Sequence, residues 1–171
     1  NVGIGTTSPT QLLHVNSTTS NPTGIGLQNS QRYYSVRSNN YSLVFTDETV
    51  GTERMRIDSS GNVGIGTTGP NGLLHVRKDQ AAETKVIIQN NNGAGAGVRL
   101  ELSVGEPSSD DSVVSFNVGN GGADWSVGVD NSDADKFKIS GGTDSHNPNL
   151  GTNDRLVIDS SGNVGIGTSS P

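Results

Sequence analysis

A nine-residue motif returns three times, and it fixes the organisation of this chain before any other feature is read. Asn1-Val2-Gly3-Ile4-Gly5-Thr6-Thr7-Ser8-Pro9 recurs with small changes as the segment from Asn62 to Pro70, and again from Asn163 to Pro171. The match extends outward: Leu12-Leu13-His14-Val15 corresponds to Leu73-Leu74-His75-Val76, and Ile57-Asp58-Ser59-Ser60-Gly61 to Ile158-Asp159-Ser160-Ser161-Gly162. The offset between copies is 61 near the start, 91 at Tyr34 and Trp125, and 101 at Arg54 and Arg155. The chain therefore divides into a first copy, residues 1–61, a second, residues 62–162, and the start of a third, residues 163–171. About 30 extra residues enter the second copy, roughly 92–122. Within them Val98–Val104 alternates apolar and polar residues and Val113–Val118 is again apolar, which predicts an added β-hairpin.

Local preferences point to β-structure throughout. Val and Ile total 26 against 10 Leu and 6 Ala, and β-branched side chains suit a pleated surface better than a helix. Short strands are expected at 12–15, 33–37, 42–46, 55–58, 86–89, 125–129, 137–140 and 156–159, separated by Gly, Asn, Ser and Asp clusters. The one stretch with helical character is 79–85, two turns at most. Asp58-Ser59-Ser60-Gly61-Asn62 has the chemistry of a tight turn between antiparallel strands, since Asp and Ser side chains bond the local backbone and Gly tolerates positive φ. In Val63-Gly64-Ile65-Gly66, alternation places the glycines on one face, where another backbone can approach closely.

Such a chain is short of core. Gly, Ser, Asn and Thr make up about 46% of the 171 residues, and Leu, Ile, Val and Phe about 23%. A copy of about 60 residues buries too little apolar surface to offset its own chain entropy. Association with identical chains supplies the missing core.

Other classes are disfavoured on chemistry. There is no cysteine, which excludes disulfides and thiolate metal sites. The longest apolar runs, such as Val86-Ile87-Ile88, are three residues against the roughly 20 of a membrane-spanning helix, so no membrane insertion is expected. A net charge of −6 argues against nucleic acid, whose phosphates call for Lys and Arg. That acidity belongs to the second copy: residues 1–61 carry four basic and four acidic side chains, residues 62–162 seven and thirteen.

The segment Ile57-Asp58-Ser59-Ser60-Gly61-Asn62-Val63-Gly64-Ile65-Gly66-Thr67, with Pro70 and Leu74-His75-Val76 behind it, resembles repeats of bacteriophage tail fibres and related trimeric receptor-binding proteins. The resemblance covers essentially the whole chain. It implies an all-β, elongated, intertwined homotrimeric fibre segment, hence two identical chains as partners, located extracellularly on a virion. The implied role is structural and host-attaching, with three copies of each surface loop engaging a host-surface glycan or protein multivalently. A tailspike-like glycan depolymerase and a bacterial extracellular adhesin repeat are the alternatives.

No catalytic residue and no cofactor is expected. Residues 64–69 match the dinucleotide pattern G-x-G-x-x-G, but Pro70 follows, no helix does, and Ser8 and Ser170 break the pattern in the sister copies. No metal site is expected either; the nearest approaches are His14 and His75, which a trimer would bring in threes towards its axis, and Asp130 and Asp133 in an oxygen-rich loop that lacks the glycine and distal Glu of a calcium loop. His146 lies in a loop with no counterpart in the first copy. For ligand stacking the candidates are Tyr33 and Tyr41, which have no aromatic counterparts, and Trp125, whose equivalence to Tyr34 points first to packing.

Overall fold

A computed structural model describes residues 1–17, 22–79, 83–91, 97–105, 110–117, 124–143 and 150–171. The protein is all-β: among the described residues there is no α-helix, only a 3₁₀ turn at Asn131–Asp133. Two compact units are formed, Asn1–Ile87 and Ile88–Pro171.

The first unit contains β1 (Val2–Ile4), β2 (Leu13–Val15), β3 (Thr23–Gln28), β4 (Tyr33–Asn39), β5 (Ser42–Asp47), β6 (Thr52–Ile57), β7 (Val63–Ile65) and β8 (Leu74–Val76). Strands β3 to β8 form one sheet in sequence order, antiparallel until β7 and β8, which pair in parallel. The motif accounts for that parallel step, because β1 and β2 repeat it 61 residues earlier: Val2 pairs with Leu13 as Val63 pairs with Leu74. A Cβ on Gly66 would stand 2.1 Å from the Arg77 carbonyl oxygen, so the glycine expected to admit a neighbouring backbone does so. The turn between β6 and β7 also forms as its sequence dictates. The Asp58 carboxylate accepts from the Ser60 and Asn62 amides at 2.8 and 2.9 Å, and Gly61 adopts φ +84°. Asp159 accepts from the Ser161 and Asn163 amides in the same way. The unit extends past residue 61, since β7 and β8 continue the sheet of β3 to β6.

The second unit contains β9 (Ser112–Phe116), β10 (Asp124–Asp130), β11 (Lys136–Thr143), β12 (Asp154–Ile158) and β13 (Val164–Ile166), again in sequence order and antiparallel. Two expectations are corrected here. Residues 86–89 form no strand, and the added hairpin is not observed as drawn: residues 97–105 carry no strand, while β9 pairs with β10. The reason is one of place. Tyr34 on β4 pairs with Leu27 on β3, and Trp125 on β10 pairs with Phe116 on β9, so β9 fills beside β10 the position that β3 fills beside β4. The rest of that hairpin, 92–96, 106–109 and 118–122, lies outside the described residues, as do 80–82 of the stretch with helical character and His146.

Candidate functional site

Pairing register decides which side chains share a face, because residues opposite each other on neighbouring strands project the same way. In the first sheet the ladder Ile25, Val36, Phe45, Met55, Ile65, Val76 crosses all six strands on one face. Leu27 and Tyr34 flank it on one side, and Leu43, Ile57, Val63 and Leu74 on the other. The second sheet repeats the arrangement with Val114, Val127, Ile139, Leu156 and Ile166, flanked by Phe116 and Trp125 and by Val129, Phe137, Ile158 and Val164. This apolar face is the open one: Leu27 is 62% exposed, Leu74 65%, Phe116 55% and Ile166 81%.

The opposite face is polar and buried. It carries Ser35, Ser42 and Thr46 in the first sheet and Ser126, Lys138 and Ser140 in the second. Ser35 donates to Glu48 at 2.6 Å, and Glu48 also meets Arg37 at 2.7 Å. Asp47, buried, is held by Arg54 at 2.9 Å and Arg32 at 3.3 Å; the Arg54 hydrogen bond keeps its carboxyl below the usual range although burial pushes the other way. Hydrophobic burial is correspondingly thin. Among the described residues only Val44, Leu150 and Val157 are buried apolar side chains.

The oxygen-rich loop proves to be organised around a side chain of its own. The Lys138 ammonium lies 2.7 Å from Asp130, 2.6 Å from Asp133 and 3.3 Å from Asp154, and it is almost wholly buried. Burial alone would push its pKa down, but the hydrogen bonds to Asp130 and Asp133 and the charge of Asp154 outweigh it and the net shift is upward. Asp130 also accepts from Ser132 at 2.7 Å and from the Asp133 amide at 3.0 Å, capping the 3₁₀ turn. The oxygens that resembled a calcium loop are thus the counterions of a lysine. Sequence reading missed this because Lys138 sits five residues beyond Asp133, inside a strand. Alternation is the signal that would have found it, since Lys138 falls on the face of Ser140 while Phe137 and Ile139 fall on the other.

The other candidates are scattered. His14 accepts from the Thr10 amide at 3.3 Å, and His75 buries an Nδ1 that has no hydrogen-bond partner among the described residues. Each stands opposite a glycine, Gly3 or Gly64. Among the described residues no group of three His, Asp or Glu side chains is arranged to hold a metal ion. Tyr33 lies on the polar face with its ring over Gly26, and Trp125 lies on the apolar face with its indole over Gly141. Tyr41 belongs to neither face. It is the second residue of the two-residue turn joining β4 to β5, 93% exposed, at the opposite end of β4 from Tyr33. The structure therefore does not gather the aromatic candidates into one site.

A shallow polar cleft of about 380 Å³ opens beside the β5–β6 turn, with Glu53, Thr68, Arg77 and Asp79 in its walls. Its charges are mutually engaged: Glu53 takes Arg56 through both oxygens at 2.6 and 2.9 Å, Arg56 reaches the Thr68 carbonyl at 2.6 Å, and Arg77 meets Asp79 at 2.8 Å. No protein-family model matches the chain, and no curated protein matches it in sequence.

Proposed function

We propose that this chain is a structural and host-attachment module, a segment of a homotrimeric phage tail fibre that presents a multivalent receptor-binding surface outside the cell. The observation that carries the reading is the inverted sidedness of both sheets: the polar face is buried within the chain and the apolar face is left open. Fourteen large apolar side chains on those faces are more than a third exposed, seven on each sheet. Covering the exposed half of such a side chain contributes about 1 kcal/mol. Their sum, roughly 14 kcal/mol per chain, is of the size needed to offset the ~4–15 kcal/mol lost as freedom on association. A second copy of the chain supplies the same face. The number three comes from the resemblance of the repeated motif to fibre repeats, as does the place on a virion.

Light scattering tests the reading directly. A stable species of about 53 kDa, three times the 17.7 kDa chain, with a β-type circular dichroism spectrum is expected. Placing a carboxylate at the centre of each apolar ladder, with Phe45→Asp and Ile139→Asp together, should convert it to a smaller species. A folded monomer of the unaltered chain overturns the proposal. Of the acids an enzymatic reading would draw on, Asp110, Asp111, Asp130 and Asp133, the last two are bound to Lys138 and Asp111 accepts from the Asn131 amide at 3.0 Å, so no specific observation favours the depolymerase.

A further inference from the structure

The turn at Asn40–Tyr41 is the one place where the fold carries an aromatic side chain that does nothing for it. Asn39 pairs with Ser42, and the two residues between them have φ +46° and +63°, both left-handed, as a type I′ hairpin turn requires. Asn accepts that conformation readily, and Gly is the residue the second position favours. Tyr41 adopts it against the clash of its Cβ with the following carbonyl. Its ring gives nothing back to the fold, being 93% exposed. Strained residues of this kind cluster at ligand contacts, and an exposed side chain on one is a candidate for such a contact.

The surroundings indicate what that is. Leu43 pairs with Ile57 and Thr23 with Ser38, so the tip of the β4–β5 turn, the Asp58–Asn62 turn and the start of β3 share one end of the first sheet. That end carries the exposed Tyr41 ring together with exposed amide and hydroxyl side chains, Asn40 beside it and Ser59 and Ser60 on the Asp58–Asn62 turn. An aromatic face stacks on the C–H face of a pyranose, and amides and hydroxyls bond its equatorial oxygens. Asp58 stands in the same end with its carboxylate below the usual range, held there first by the Asn62 amide, and it disfavours an anionic ligand. We infer that Tyr41 and the flanking Asn40 form a contact site for a neutral glycan. This rests on the attachment reading above and names its ligand class. A contact between protein chains fits less well, because the tip lies off the apolar face and its neighbours are polar.

The test exploits the fact that strain relief and ligand loss run in opposite directions. The full chain is offered to surfaces bearing polymer-displayed glucose, galactose, mannose and N-acetylglucosamine, with melting temperature and solution mass read in parallel. Tyr41→Gly should raise the melting temperature by a few degrees, keep the mass, and weaken binding to the preferred probe about ten-fold or more per site. Tyr41→Phe, which keeps the stacking ring, should stay within about three-fold of the unaltered chain. Unchanged binding by Tyr41→Gly overturns the inference, as does failure of the unaltered chain to bind any of the four probes. A fall in mass assigns Tyr41 to a chain–chain contact and overturns it too. A monomer that binds through Tyr41 would instead sink the trimer and leave the glycan site standing, so the two failures are distinguishable.

Discussion

In the first sheet Val44 on β5 is fully buried and faces Arg56 on β6; at the matching places in the second sheet stand Lys138 on β11 and Val157 on β12. Cation and valine have exchanged strands. One acid has stayed in place: Glu53, which holds Arg56, and Asp154, which meets Lys138, occupy the same ladder position, opposite Thr46 and Ser140. Arg56 keeps contact with water and is satisfied by one bidentate carboxylate, whereas Lys138 is almost wholly buried and gathers three. The deeper cation, whose burial carries the larger penalty, is the one with more acids around it. Part of the second copy's acidity is therefore structural counterion.

The strongest way to break this comparison is to remove the deeper cation. Lys138→Val leaves Asp130, Asp133 and Asp154 facing one another without the ammonium, and should destabilise the second unit by about 3–5 kcal/mol in urea unfolding. Restoring the first sheet's arrangement sharpens it. Asp130 corresponds to Asn39, so Lys138→Val combined with Val157→Arg and Asp130→Asn copies Val44, Arg56 and Asn39 into the second sheet. That triple variant should recover more than half of the loss. If it is no better than Lys138→Val alone, the two arrangements are not interchangeable.

Acid titration gives a smaller effect with a defined sign. In the first sheet the Arg54 hydrogen bond lowers the Asp47 pKa. In the second, burial raises Asp130, but its bonds to Lys138 and Ser132 outweigh that, and Asp133 is lowered chiefly by Lys138 and then Lys136. A lowered carboxyl pKa contributes stability that is complete above the unfolded value of about 3.9 and is lost as pH falls through the folded value. The raised Lys138 pKa contributes stability that is complete below about 10.4 and is lost only as pH rises beyond it. Melting temperature should therefore be nearly flat between about pH 5 and 9 and fall below about pH 4. A rise on acidification from pH 5 to pH 3 would contradict the ion-pair assignment.

How much of this was legible in advance follows the range of the interactions. The Asp58–Asn62 turn, strands β4, β5, β10, β11 and β12, and the glycine of close approach are encoded within a few residues, and the sequence places them. Strand β3 was not recognised, because Gly24 and Gly26 mask its alternation. Residues 86–89 misled in the opposite direction: their apolar run has strand character, but the place beside β10 belongs to β9. The Lys138 cluster depends on three segments meeting, and the Asp130–Asp133 half alone looks like an empty cation loop. Tyr41 was legible as an unmatched aromatic residue, while its left-handed backbone was not.

The finest distinction lies between two glycines of the first sheet. Gly61, in the Asp58–Asn62 turn, and Gly66, just past β7, share a left-handed backbone, φ +84° and +72°. Their surroundings differ: a Cβ at Gly66 meets the Arg77 carbonyl oxygen at 2.1 Å, and one at Gly61 meets nothing within 4 Å. The Arg77 amide bonds the Ile65 carbonyl at 2.9 Å, so the chain just past β8 cannot withdraw without giving up that bond. Gly61→Ala should then cost only the backbone strain, about 1 kcal/mol. Gly66→Ala should cost roughly twice that or more, since it also loosens β8, and hydrogen exchange at the Arg77 amide should quicken in that variant. Equal costs for the two would mean that the parallel step between β7 and β8 adds nothing to the stability of the first unit.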